Sequence, residues 1–234
     1  MKKFKKLMLV GMMALVLIGV QATSYALTIA WIDGTNRIGG FLMDNQTGDL
    51  DPRAGFITWA GTLNNNWSIN LTGTSNSIVS PNDPQMGLVA QFSSVGGGWL
   101  AFGVVDSGFA GPMVGNSFDL NVWGATGGTV MRSFAFGDTL NRGIFNGTTF
   151  DNLGPLAGAF SGTASGSFGS FSFGSTTPFT LGIAGYIYHQ GSATTNFNAS
   201  LVDPTTAPVP EPSVILLLGS GLIGMWGFRK KFKK

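Results

Sequence analysis

The stretch WSINLT, residues 67–72, alternates apolar and polar side chains with a period of two. Trp67, Ile69 and Leu71 fall on one side of an extended backbone, and the serine, asparagine and threonine between them fall on the other. Successive side chains of a β-strand point to opposite faces, so the pattern predicts a strand with one buried face and one solvated face. The same alternation recurs in SFDLNVW (117–123) and NFNASL (196–201).

Other segments are more uniformly apolar and suit central strands or the core strands of a sandwich. They are GFITWAG (55–61), MGLVAQF (86–92), GWLAFGVV (98–105) and FTLGIAGYIYH (179–189). About ten such segments follow one another between residues 27 and 203, with little helical periodicity. This spacing predicts an all-β fold, an antiparallel β-sandwich, with a jelly-roll arrangement as one form it could take.

Turn residues separate these segments. Asp-Gly and Asn-Gly pairs, prolines and the GATGG stretch (124–128) are typical of reversals, because glycine and asparagine tolerate positive φ. The segment SGTASGSFGSFSFGSTT (161–177) is low in complexity. Its alternating FSF favours a glycine-rich strand over a flexible loop.

Charge is distributed unevenly along the 234 residues. The overall net charge is +2, yet residues 27–210 hold four arginines and ten aspartates, which gives that region a net charge of −6. Nine of the 13 basic residues lie at the two ends of the chain. An acidic body is repelled by phosphate backbones, so nucleic acid is not expected as a partner.

The N-terminal region has the three parts of a secretory signal peptide. Four lysines precede an apolar run from Leu7 to Val20, and small residues follow at Ser24 and Ala26. This pattern predicts a signal peptide over residues 1–26 that is cleaved after Ala26. The alternative is a retained anchor, but the run is short for a membrane span of about 20 residues.

The chain contains no cysteine. Exported proteins commonly use disulfides, so this one must be stable without them. A body of this size can bury roughly 70% of its unfolded surface, which is enough for a core without covalent links. Thiol catalysis, iron–sulfur clusters and thiolate zinc sites are excluded.

The C-terminal region begins with a proline-rich linker, residues 204–213, which favours an extended polyproline II conformation. Residues 214–228 are uncharged and mostly apolar, and as a transmembrane helix they would extend about 22 Å. That length is short against a hydrocarbon core of about 30 Å, so basic side chains must reach outward into the interface. The tail 229–234 is basic and predicts a cytoplasmic end, with the body on the periplasmic side.

The run Val209, Pro210, Glu211, Pro212 and Ser213, followed by the apolar segment and the basic end, resembles the PEP-CTERM sorting domain over about residues 207–232. The resemblance implies export in a bacterium with an outer membrane and an exopolysaccharide. It further implies that an exosortase, a membrane peptidase, recognises Pro210, Glu211 and Pro212 as its substrate. The motif is also labelled as the C-terminal domain of ice-binding proteins, but no regular Thr-x-Thr array supports ice binding here.

Two groups in the body are candidate binding residues. Trp123 falls on the same face as Asp119 and Asn121, so it is a candidate platform for stacking against sugar rings, although buried tryptophan is the default. Trp67 lies in phase with two aliphatic residues and is expected in the core.

Asp44, Asp49 and Asp51 could supply oxygen ligands to Ca²⁺, although their spacing differs from that of an EF-hand and tight turns use the same residues. No other metal or cofactor is expected.

Catalysis is not expected. His189, the one histidine, has no G-x-S-x-G serine to pair with and is expected at the surface or at a strand end. No pattern points to a pair of aspartates of the kind that glycosidases use. The sequence predicts an exported, membrane-anchored structural protein of the cell surface or extracellular matrix, in contact with membrane lipid and processed by an exosortase. The alternative is a carbohydrate-binding module of the exopolysaccharide matrix.

Overall fold

A computed structural model describes residues 27–82, 84–110, 117–138, 152–172 and 178–202. These residues form ten β-strands. The strands are β1 (Thr28–Asp33), β2 (Ile38–Met43), β3 (Phe56–Leu63), β4 (Trp67–Ser75), β5 (Gln85–Ser94), β6 (Gly98–Phe109), β7 (Ser117–Asp138), β8 (Asn152–Ser172), β9 (Phe179–His189) and β10 (Ala193–Val202). The all-β class and the strand number agree with the sequence pattern, and β8 confirms the glycine-rich strand as far as Ser172.

Helices do not occur among the described residues, and within that part of the chain no helix is long and apolar enough to cross a membrane. The predicted signal peptide (1–26), linker (204–213), transmembrane helix (214–228) and basic tail (229–234) lie outside the described residues.

All strand pairs are antiparallel and follow the order β2-β1-β6-β9-β7-β10-β5-β4-β3, with β8 paired to β7 as well. The long strand β7 divides this path in two. Residues 130–138 pair with β9, whereas residues 119–126 pair with β10. Layer A consists of β2, β1, β6, β9 and the second half of β7. Layer B consists of the first half of β7 and of β10, β5, β4 and β3.

The two layers pack face to face, as aromatic contacts between them show. The Phe92 ring of β5 lies 4.4 Å from that of Phe102 in β6, and Phe102 lies 5.1 Å from Phe197 of β10, between ring centroids. At the other side of the core, Trp31 of β1 stacks on Trp59 of β3 at 3.8 Å. These contacts belong to one continuous apolar cluster and confirm the β-sandwich.

The strand order differs from the jelly-roll form considered above. Strands β3, β4 and β5 follow one another as a meander, and β1 with β2 forms a hairpin. Strands distant in sequence do become neighbours, β6 beside β1 and β10 beside β5, but a three-strand meander is not part of the two interlocked Greek keys of a jelly roll.

Strands β6 and β9 are buried on both faces, which explains why their sequences are apolar throughout. On the outer side of layer A, a second apolar cluster includes Ala101, Phe134 and Ala184. Phe136 also belongs to this cluster and lies directly over Gly182, where a Cβ atom would come within 2.0 Å of the ring. Glycine at this position therefore makes room for the aromatic ring.

The GATGG stretch is a bend within β7 and not a turn between two strands, so that prediction is wrong. Its glycines let the strand pass from layer B to layer A without ending. A Cβ atom on Gly128 would lie 2.3 Å from Cδ2 of His189, so a side chain at this point would collide with the imidazole. Local glycine content predicted a reversal but could not show that one strand continues from Ser117 to Asp138 through it.

Candidate functional site

Trp123 lies on the outer face of layer B with 45% of its surface exposed. The alternation in SFDLNVW places it there, because Phe118, Leu120 and Val122 on the same strand are fully buried. Trp123 is the one tryptophan among the exposed large apolar side chains of the described residues. Its proposed role as a sugar platform stays a prediction.

The other described tryptophans are engaged elsewhere. Trp67 is 1% exposed and belongs to the core, as its phase with Ile69 and Leu71 predicts. Trp99 of β6 packs against the Tyr188 ring at 4.5 Å on layer A. Only Trp123 therefore combines a large exposed ring with a position on the outer face of layer B.

Four rows of side chains cross the outer face of layer B, and we call them the polar face. The first row holds Asn121, Ser200, Gly87, Thr74 and Phe56; the second Trp123, Asn198, Val89, Thr72 and Thr58; the third Ala125, Asn196, Gln91, Asn70 and Ala60; the fourth Thr194, Ser93, Ser68 and Thr62. Strands lie about 4.8 Å apart, so five of them give a face about 19 Å wide.

The polar face carries amides and hydroxyls but no charged side chain. The first charge beyond it along β7 is Asp119. Some hydroxyls are linked across strands: Thr58 to Thr72 with 3.0 Å between their Oγ1 atoms, and Ser93 Oγ to Thr194 Oγ1 at 3.1 Å. Each amide can both donate and accept hydrogen bonds, which matches the hydroxyl groups of a sugar.

The three aspartates considered for calcium lie in one turn between β2 and β3. Asp49 accepts hydrogen bonds from the backbone N–H groups of Asn45, Asp51 and Thr58 at 2.9 to 3.1 Å. Asp51 forms an ion pair with Arg53 at 2.6 Å, and the hydrogen bonds from this guanidinium hold the pKa of Asp51 at about 2.

Asp44 accepts a hydrogen bond from the backbone N–H of Gly55 at 2.7 Å. Burial and the neighbouring charges of Asp49 and Asp51 raise its pKa above the ordinary value. The three carboxylates thus organise the turn themselves, and the described residues contain no group of three or more His, Asp or Glu side chains placed to hold a metal ion. The calcium hypothesis stays a prediction that this geometry does not favour.

His189 is fully buried, so the expectation of a surface position is wrong, although it does end a strand. Its Nδ1 lies 2.7 Å from Ser94 Oγ and its Nε2 lies 2.8 Å from Thr195 Oγ1. Thr195 lies 2.6 Å from Thr126 Oγ1, which accepts a hydrogen bond from the backbone N–H of Gly128. The imidazole of layer A is thereby bonded to two strands of layer B.

This hydrogen-bond chain has one consistent direction. Ser94 donates to the carbonyl oxygen of Gly191 at 3.0 Å, so its oxygen accepts from Nδ1–H of His189. Nε2 then accepts from Thr195, and Thr195 accepts from Thr126. Burial lowers the pKa of His189, and no charged group takes part in the chain. The arrangement suits a neutral structural imidazole and offers no nucleophile that substrate could reach.

Two buried aspartates also connect the layers. Asp33 at the end of β1 accepts hydrogen bonds from Thr35, Asn36 and, across the layers, Asn64 Nδ2 at 3.1 Å. Burial alone would raise the pKa of Asp33, but these hydrogen bonds bring it below its ordinary value. Asp106 of β6 bonds to Ser77, which follows β4, and burial raises its pKa.

The predicted cleavage residues Ser24 and Ala26 and the sorting residues Val209, Pro210, Glu211, Pro212 and Ser213 lie outside the described residues. For these the comparison with known families is informative. Residues 208–231 match the PEP-CTERM protein-sorting motif. No curated protein matches the chain. The motif match confirms the resemblance for the C-terminal segment.

Proposed function

We propose that this protein is an exported structural component of the cell surface or extracellular matrix that an exosortase processes at its C-terminal sorting signal. The observation that carries the proposal is the PEP-CTERM motif at residues 208–231. Such a motif supports an exported protein that an exosortase processes. The signal-peptide pattern of residues 1–26 agrees with export.

The chemistry of the C-terminal region fits a role as peptidase substrate. Prolines on both sides of Glu211 favour an extended backbone with few internal hydrogen bonds, the form that a protease cleft binds. The apolar segment 214–228 would hold this peptide at the membrane surface in contact with lipid. The basic end would remain cytoplasmic, with the body on the periplasmic side until cleavage.

A non-enzymatic role for the body agrees with its interior. The single histidine is buried in hydroxyl hydrogen bonds, and the two buried aspartates hold turns and strands together across the layers. These groups rigidify the sandwich. A rigid, cysteine-free sandwich that folds after export suits a structural component.

The sorting proposal is tested by fractionating cells that produce the full chain, a chain truncated after Ala207, and Glu211→Ala. Truncation should release the protein from membranes, and Glu211→Ala should accumulate as unprocessed precursor in the membrane fraction. Pro204→Ala, in the same linker but outside the motif, should be processed normally. Membrane retention of the truncated chain, or normal processing of Glu211→Ala, would contradict the proposal.

The second candidate function is carbohydrate binding within the exopolysaccharide matrix. The observation that favours it is Trp123, whose ring is 45% exposed on a face of amides and hydroxyls. A planar aromatic ring offers an apolar surface against which the C–H face of a sugar can pack. Binding to an array of polysaccharides should be lost in Trp123→Ala, and the absence of binding to any polysaccharide would discard this candidate.

A further inference from the structure

We propose that the polar face binds an uncharged polysaccharide laid across the strands of layer B. The inference rests on the carbohydrate-binding candidate and specifies its ligand class and the extent of its site. Trp123 is one end of the site, and the amides of β10, β5 and β4 continue it toward Thr58.

The absence of charge on the polar face favours an uncharged ligand. The body between residues 27 and 210 carries a net charge of −6, so an anionic polymer is repelled unless a local cation compensates. The polar face has no such cation. At its edge, the Arg53 guanidinium lies 4.0 Å from the centre of the Phe56 ring, but this arginine is already paired with Asp51.

The side chains of the rows match the hydroxyl groups of a sugar. The third row places Asn196, Gln91 and Asn70 side by side on three adjacent strands, each exposed to solvent. Amide groups match sugar hydroxyls as both donors and acceptors, and they do so without the desolvation penalty of a charge.

The second row alternates apolar and amide side chains. Trp123 is followed by Asn198 and then by Val89, which is 51% exposed. Because alternate strands lie about 10 Å apart, this row offers two apolar contacts separated by an amide. A chain of sugar rings presents apolar C–H faces between hydroxyl groups, so it can use both kinds of contact. The face is an open sheet surface, which suits an extended chain and not an enclosed monosaccharide.

The test uses the full chain in detergent, with retention measured on cellulose, chitin and dextran as neutral probes and on alginate as a polyuronate. We expect retention on at least one neutral probe and none on alginate. Retention should be unchanged between about 0.02 and 0.5 M salt, because screening acts only on charges. Trp123→Ala should weaken it at least about tenfold, as expected for an exposed aromatic anchor, and Gln91→Ala should weaken it several-fold.

Trp99→Ala is the matched control, since it removes a tryptophan from layer A and should leave binding unchanged. Binding to alginate alone, or binding that falls steeply with salt, would contradict the proposal that the ligand is uncharged. It would not contradict carbohydrate binding itself. Equal losses in Trp99→Ala and Trp123→Ala would overturn the polar face as the site. No retention on any of the four polymers would overturn both this inference and the carbohydrate-binding candidate.

Discussion

Lowering the pH from 7.5 to 5.5 should destabilise this protein through His189, the one histidine of the chain. In the folded state every hydrogen of the Ser94, His189, Thr195 and Thr126 chain has an acceptor when the imidazole is neutral. A second proton on Nε2 would force Thr195 to turn its hydrogen toward Thr126. The Thr126 hydroxyl would then lose its acceptor, and an unpaired charge would be buried.

The size of the effect follows from linkage. Burial lowers the pKa of His189 in the folded state, whereas the unfolded chain binds a proton at about pH 6.5. The contribution to stability is therefore complete above that pH and is lost as the pH falls below it. If the folded imidazole stays neutral throughout, the free energy of unfolding at pH 5.5 falls by at most about 1.4 kcal/mol.

The assay is urea unfolding at pH 7.5, 6.5 and 5.5, followed by tryptophan fluorescence. Trp67 is a suitable reporter because its ring centroid lies 5.0 Å from that of His189. The matched variant is His189→Gln, which cannot titrate in this range. It should be less stable at pH 7.5 by about 1–3 kcal/mol, since buried hydroxyls lose a partner, and it should lack the loss of up to about 1.4 kcal/mol that the titration of His189 causes by pH 5.5. Parallel pH profiles for the two proteins would refute the reasoning.

Three further predictions test other parts of the structure. Asp33→Asn should lower the free energy of unfolding at pH 7 by about 2–4 kcal/mol, because the carboxylate accepts several hydrogen bonds. Since the folded state lowers the pKa of Asp33, the stability that this carboxylate contributes is present above about pH 4 and is lost as the pH falls through the folded pKa. Asp106→Asn should change stability by less than about 1 kcal/mol, since burial already disfavours its charge; equal losses in both aspartate variants by urea unfolding would contradict this contrast. Asp49→Asn should lower the free energy of unfolding by about 1–2 kcal/mol, because its turn hydrogen bonds weaken. Millimolar calcium should leave the melting temperature of the unsubstituted protein unchanged. A calcium-dependent rise in that temperature that disappears in Asp49→Asn would support the calcium hypothesis. Gly182→Ala should cost about 1–3 kcal/mol by crowding Phe136, and Phe136→Leu in the same chain should recover part of that loss; no recovery would place the strain elsewhere.

The strands could be predicted from the sequence wherever one face is buried and the other solvated. Period-two alternation identified β4, the first part of β7 and β10, and it also placed Trp123 on the outer face and Trp67 in the core. What alternation could not show is how strands pair, because pairing depends on residues far apart in the chain. The passage of β7 through GATGG illustrates the difference: the same glycines permit a turn or a bend, and only the neighbouring strands decide.

The polar links between the layers were missed for a related reason. His189 ends β9, and its partners Ser94 and Thr195 come from β5 and β10, which are brought beside it only by the fold. Serine and threonine are common in strands and turns of this chain, so nothing local marks these two. A signal was nevertheless present: Thr195 lies in phase with Phe197, Ala199 and Leu201, which predicts a buried hydroxyl in need of a partner.

The polar face could be predicted in part. The outward positions of WSINLT and NFNASL are all serine, threonine or asparagine, and this is visible in the sequence. Their alignment into rows requires the register of five strands, which the sequence does not specify. The sorting signal is the opposite case, because it is a linear motif and its match at residues 208–231 depends on no fold at all.

The central claim is that both ends of the chain direct export and are removed from the finished protein. Intact mass spectrometry of the protein recovered from the extracellular fraction tests it most directly. The account predicts one species that begins at Leu27 and ends close to residues 210–213. A full-length mass of 24.5 kDa in that fraction, with residues 1–26 and 214–234 still attached, would contradict it.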